Sequence, residues 1–114
     1  MKKIFILQLI LLSAVFSMAQ TGFTSIINLN PIAIGSIDTQ HKPQAKMWYY
    51  AGTWWCAVPP STGGTWIFRL DGTTWTQVYR LSTSGSRPDC WVSGDLVHVL
   101  MYKGGGSNQI ATAQ

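Results

Sequence analysis

Glutamate is absent from this chain of 114 residues, and its four acids are Asp38, Asp71, Asp89 and Asp95. With only 11% charged residues, long helices laced by Glu–Lys pairs are excluded. Cysteine is equally scarce. Cys56 and Cys90 form no CxxC, and His41 and His98 have no HxxxH spacing, so no metal site is expected. No GxSxG elbow presents a nucleophilic serine, and Gly104-Gly105-Gly106 lacks the lysine and following helix of a phosphate loop. No cofactor is expected, and no catalytic residue is assigned. The length excludes a TIM barrel, a dinucleotide-binding domain with its substrate partner, and a complete propeller. Disorder is excluded too, since 46% of residues are hydrophobic and 12% aromatic.

Long apolar runs are confined to the first residues. Lys2 and Lys3 precede a run over residues 4–16 interrupted only by Gln8 and Ser13, and Ser17-Met18-Ala19 places small residues where a signal peptidase reads. The pattern predicts a signal-peptide helix over 1–19, cleavage before Gln20, and a secreted or periplasmic product. The run is too short to span a bilayer, so no stable membrane anchor is expected after cleavage. The remaining Lys42, Lys46, Arg69, Arg80, Arg87 and Lys103 are scattered singly, which gives no support to a nucleic-acid partner.

What the chain does have is a beat of aromatic and β-branched runs separated by glycine turns about every ten residues. That beat predicts an antiparallel meander with strands near 46–50, 53–58, 65–70, 73–81, 89–93 and 96–102. Asp71-Gly72 has the composition of a type I′ hairpin turn. Setting Leu70 opposite Thr73 then gathers Trp66, Phe68, Leu70, Trp75 and Tyr79 on one side, making Trp66 and Trp75 core candidates. Ala51-Gly52, treated the same way, places Tyr49 opposite Trp54, Met47 opposite Cys56, and Trp48 opposite Trp55. Neither face of this sheet is plainly polar, which predicts a layer on each side.

An offset of 42 residues superposes Gly52 on Gly94, Gly63 on Gly105, Gly64 on Gly106, Thr65 on Ser107 and Tyr49 on Trp91. A 42-residue unit with four strands has the size of a propeller blade. The expected organisation is a leader over 1–19, an extended segment over 20–44, a blade-like unit over 45–86 and an incomplete second unit over 87–114. The fold class is therefore all-β, about one and a half blade-like units.

The stretches Lys42-Pro43-Gln44-Ala45-Lys46-Met47-Trp48, Gly52-Thr53-Trp54-Trp55 and residues 64–75 resemble repeats of secreted bacterial β-propeller proteins. Asp71-Gly72-Thr73-Thr74-Trp75 is similar to the Asp-box of sialidase-like propellers, with one residue fewer between Asp and Trp and with Arg69 where the box has Ser or Thr. In that family the box is structural, so Asp71 and Gly72 are expected to form a turn with Trp packed beneath it.

The favoured function is non-catalytic binding or scaffolding outside the cell. The alternative is the N-terminal fragment of a sialidase-like glycan-processing propeller. Sialidase chemistry uses an arginine cluster and a Tyr–Glu pair. Arg69, Arg80 and Arg87 are the available arginines, and Asp71 and Asp95 read as turn residues. Six tryptophans remain: Trp48, Trp55 and Trp91 are candidate platforms for a glycan ring, and the partners expected are glycans or further protein blades. Cys56 and Cys90 are either bridged, as export permits, or two buried thiols. The hairpin over 89–102 has unpaired edges in this reading, which predicts self-association.

Overall fold

A computed structural model of the chain describes residues 25–35, 44–105 and 107–114. The predicted leader over 1–19 and His41 lie outside the described residues. The protein is all-antiparallel β, in two sheets. The first contains β1 (Met47–Tyr50), β2 (Thr53–Val58), β3 (Thr65–Asp71) and β4 (Thr74–Ser82), in the order β1-β2-β3-β4. The second contains β5 (Arg87–Ser93), β6 (Leu96–Tyr102) and β7 (Gln109–Ala113), in the order β5-β6-β7.

The glycine turns set the hairpins as their φ angles require. Ala51 and Gly52 both have positive φ, 50° and 81°, the I′ geometry that matches strand twist. The resulting register pairs Met47 with Cys56, Trp48 with Trp55 and Tyr49 with Trp54, as expected. The β3–β4 hairpin differs. Asp71 pairs with Thr74, so the loop residues are Gly72 and Thr73 rather than Asp71 and Gly72. Gly72 has φ +64° and Thr73 is not in the positive region, which is the glycine-first arrangement of a II′ turn. Centred on Gly72-Thr73, the turn needs positive φ at glycine alone and keeps Asp71 extended at the end of β3, where its carboxylate pairs with Arg69.

Two further slips act on the same pair. The partners run from Phe68–Gln77 to Ile67–Tyr79 and from Trp66–Arg80 to Thr65–Ser82, leaving Val78 and then Leu81 as extra β4 residues. Tyr79 therefore leaves the face of Trp66, Phe68, Leu70 and Trp75, and its side chain is exposed.

The sheets pack face to face through one apolar cluster. Trp48, Ala57 and Ile67 from the first sheet meet Cys90, Val97, Val99 and Met101 from the second, with Trp55, Leu81, Ala111 and Ala113 at its margin. Full burial of a side chain such as Val99 or Met101 contributes about 1.5–3 kcal/mol. On the outer face of the first sheet a second cluster joins Cys56, Val58 and Phe68 with Trp66, Trp75 and Ile32.

Ile32 belongs to the extended segment over 25–35, which crosses this face. Asn30 N donates to Thr73 O at 2.8 Å, Gly35 N to Pro59 O at 2.9 Å, and Ser61 N to Ala33 O at 2.7 Å. This segment covers the outer face around Cys56, Val58 and Phe68, while Met47, Tyr49 and Trp54 on the same face stay exposed.

The lead-in to β1 stitches the sheets together. Ala45 O accepts from Cys90 N at 2.6 Å, Ala45 N donates to Asp89 Oδ1 at 2.9 Å, and Lys46 O accepts from Ala57 N at 2.9 Å. Where the chain crosses from β4 to β5, the buried Thr65 and Ser86 hydroxyls bond each other at 2.8 Å, and Thr65 Oγ1 donates to Ser84 O at 3.0 Å. Buried hydroxyls satisfied in this way hold the crossover without an orphaned polar atom.

The second unit has three strands where two were expected, and β7 lies in register with β6 from Val97–Ala113 to Met101–Gln109. The 89–102 hairpin is therefore not bare: β7 covers the free side of β6, and Ala45 engages β5. Gln109–Ala113 carries a single large apolar side chain, Ile110, and that is 73% exposed. A strand held by ladder bonds and small residues leaves little trace in a hydrophobic pattern.

Candidate functional site

Alternation along the strands sends the three candidate tryptophans to three environments. Trp48 on β1 faces the other sheet and is buried in the inter-sheet core. That burial corrects its reading as an open glycan platform. Trp55, its cross-strand partner, is half-buried at the margin of the same core. Its indole Nε1 donates to Tyr50 O at 3.0 Å. The Arg69 guanidinium sits 5.9 Å from its ring centre.

Trp91 is on β5, and its alternation points it away from the core. It is 68% exposed and stacks on His98, with centroids 5.5 Å apart and planes at 29°. His98 Nδ1 is 3.0 Å from Thr112 Oγ1, so one imidazole edge is fixed from β7. The outer face of β5-β6-β7 thus presents Trp91, His98 and Thr112 in one row across three strands, with Leu100 and Ile110 paired in the next.

Trp48 and Trp55 do share a feature with each other. At the β1–β2 hairpin end they line an inter-sheet cleft of about 120 Å³ together with Tyr50, Ile67, Leu96 and Asp95. Asp95 comes from the β5–β6 turn of the facing sheet, and Tyr50 Oη donates to Asp95 Oδ1 at 3.5 Å, the outer limit of a hydrogen bond. Sequence reasoning missed Tyr50 and Asp95 here, because pairing within one hairpin says nothing about which turn of the other sheet it meets. Tyr49 and Trp54 form an edge-to-face pair on the outer side, with centroids 5.4 Å apart.

Trp66 and Trp75 are half-buried against the outer-face cluster. Trp66 Nε1 donates to Gly63 O at 3.0 Å, and the Arg80 guanidinium lies 5.5 Å from its ring centre. Arg69 instead donates to both Asp71 oxygens, at 2.8 and 3.1 Å. That pairing raises the Arg69 pKa and lowers that of Asp71, whose carboxylate also accepts from Thr76. Because Arg69 pairs across with Trp55 and Arg80 with Trp66, the two arginines occupy opposite faces of the first sheet and do not converge. Asp71 acts as an end-of-strand ion-pair partner, and Gly72 supplies the turn.

Cys56 and Cys90 are free and buried. They belong to different clusters, Cys56 on the outer face of the first sheet and Cys90 between the sheets. A sheet therefore separates the direction of one side chain from the other, and the bridge is not formed. Burial pushes both thiols up to about 12; for Cys90, Asp89 and Cys56 add to the rise and Lys46 opposes it. Neither is poised as a thiolate nucleophile or metal ligand. Among the described residues no group of three or more His, Cys, Asp or Glu side chains could hold a metal ion.

No protein-family model, no curated protein and no solved structure matches the chain.

Proposed function

We propose that the chain is an exported, non-catalytic β module that binds glycans on the outer face of the β5-β6-β7 sheet. Trp91 is the observation that carries this reading. A large indole two-thirds exposed on the open outer face of the sheet is a flat amphipathic surface of the kind that stacks on the apolar face of a sugar ring. Its stack on His98, itself held at Thr112, orients the ring before a ligand arrives. Pre-orientation lowers the entropy cost of binding. Export rests on the leader-like pattern over residues 1–19.

The four-stranded meander β1-β2-β3-β4 has the strand number of a propeller blade, and its face-to-face contact with β5-β6-β7 is the relation that neighbouring blades have. The 42-residue offset carries β1, β2 and β3 onto β5, β6 and β7. Further β sheets, from another chain or a second copy, are the protein partners such an architecture invites. β4 and β7 end the two sheets and offer strand edges for them.

The test is retention on immobilised polysaccharides of the native protein and of Trp91→Ala, each with its melting curve. The expected result is retention of the native protein on at least one polysaccharide, and its loss in the variant while the variant still unfolds cooperatively above the temperature of the assay. A native protein retained by none of them, or a Trp91→Ala variant retained equally, would refute the proposal.

A further inference from the structure

The inter-sheet cleft has a composition that the glycan reading does not use. Its aromatic wall is built by one hairpin: Trp48 and Trp55 are cross-strand partners, and Tyr50 lies two residues beyond Trp48 on the same face of β1. The bond from Trp55 Nε1 to Tyr50 O locks the indole orientation. Opposite stands Asp95, which among the described residues lining the cleft is the one with an ionisable carboxyl side chain. It sits on the Gly94-Asp95 turn, where Gly94 has φ +57° and the register places Ser93 opposite Leu96. Three aromatic side chains and one carboxylate therefore surround about 120 Å³ of largely apolar space.

We infer that this cleft is a binding site for a small methylated ammonium group, with Trp48, Tyr50 and Trp55 as the aromatic wall and Asp95 as the counter-ion. Aromatic faces carry the negative part of the ring quadrupole and attract cations, most strongly where the site excludes water. An anion would be repelled by both the rings and Asp95. A neutral apolar group would contact the walls and gain nothing from the carboxylate, which already accepts from Tyr50 Oη. A trimethylammonium head uses both, since its methyl groups pack on apolar walls while its charge is shared with the rings and the acid. Arg69, the cation already near the Trp55 ring at 5.9 Å, is held by both oxygens of Asp71 and does not line the cleft.

The experiment is a titration of the whole protein with choline and, separately, with its neutral carbon isostere 3,3-dimethyl-1-butanol, followed by tryptophan fluorescence and by amide chemical shifts. Choline is expected to bind saturably, about tenfold or more tighter than the isostere, with shifts centred on Tyr50, Trp55 and Asp95. In Asp95→Asn, an exposed turn substitution that leaves the circular dichroism spectrum unchanged, the preference for choline should fall several-fold. Three results would overturn the inference: no saturable choline binding at tens of millimolar, equal binding of choline and the isostere, or an Asp95→Asn variant with undiminished preference. Loss of polysaccharide retention in Trp91→Ala bears on the outer face alone, so the two sites stand or fall separately.

Discussion

Trp48 and Trp91 occupy offset-equivalent strands but opposite environments, and truncating each to alanine separates packing from display. Trp48 is 9% exposed and in contact with the second sheet, whereas Trp91 is 68% exposed. An indole of about 200 Å² almost wholly withdrawn from water, at about 25 cal/mol per Å², contributes about 4 kcal/mol once compaction of the unfolded chain is allowed for. Core truncations of this size cost about 3–5 kcal/mol. The area that Trp91 buries is about a third as large, worth about 1.4 kcal/mol on the same footing, and its stack on His98 raises this to about 2 kcal/mol. In a domain of this length each kcal/mol moves the melting temperature by about 4–8 °C. Trp48→Ala should therefore melt about 15–30 °C lower, or fail to fold, and Trp91→Ala should stay within about 15 °C of the native protein. Thermal and urea unfolding followed by far-ultraviolet circular dichroism measure both. Equal shifts, or a larger loss at Trp91, would refute the face assignment of β1 and β5 and with it the inter-sheet core.

Other consequences follow from single positions. A Cβ at Gly64 would lie 2.7 Å from Ser82 O in a backbone with φ +81°, whereas one at Gly72, φ +64°, meets nothing within 4 Å. Gly72→Ala should cost only the strain of a side chain at positive φ, about 1–3 kcal/mol, and Gly64→Ala clearly more; a smaller loss at Gly64 in parallel melts would contradict the packing of β3 on β4. Self-association is expected through the free edges, and Ile110→Lys, which puts a charge on the uncharged β7 edge, should weaken it. Sedimentation at micromolar concentration showing a native monomer would remove that expectation. The buried thiols should react slowly with a thiol reagent at about pH 8 and fully once the chain is unfolded. Since their folded pKa is raised from 9.0 to about 12, their contribution to stability is complete below about pH 9 and is lost as pH rises toward 12. A urea midpoint that falls no further over that range than in Cys56→Ala/Cys90→Ala would count against this.

The strand positions and the first hairpin were legible in the sequence because they depend on local chemistry. Glycine spacing delimits β1 to β6, and Ala51-Gly52 dictates one register by φ alone. Asp71-Gly72 misled by one position of the turn, since Asp71 stays in β3 beside Arg69 and glycine alone takes positive φ. The bulges that turn Tyr79 out and the pairing of β7 were not legible. Both are settled by what lies across the sheet, at Ile67 and at β6. The fates of the tryptophans and cysteines were likewise tertiary. Alternation tells that Trp48 and Cys56 point to opposite sides of their sheet, but only the docking of β5-β6-β7 on one side, and of the segment at Ile32 on the other, makes both sides interior. The same docking buries Trp48, brings Asp95 to the aromatic hairpin and leaves Trp91 in water. Local sequence fixes φ angles and faces within a strand pair, whereas which face is dry depends on the layer that comes to cover it.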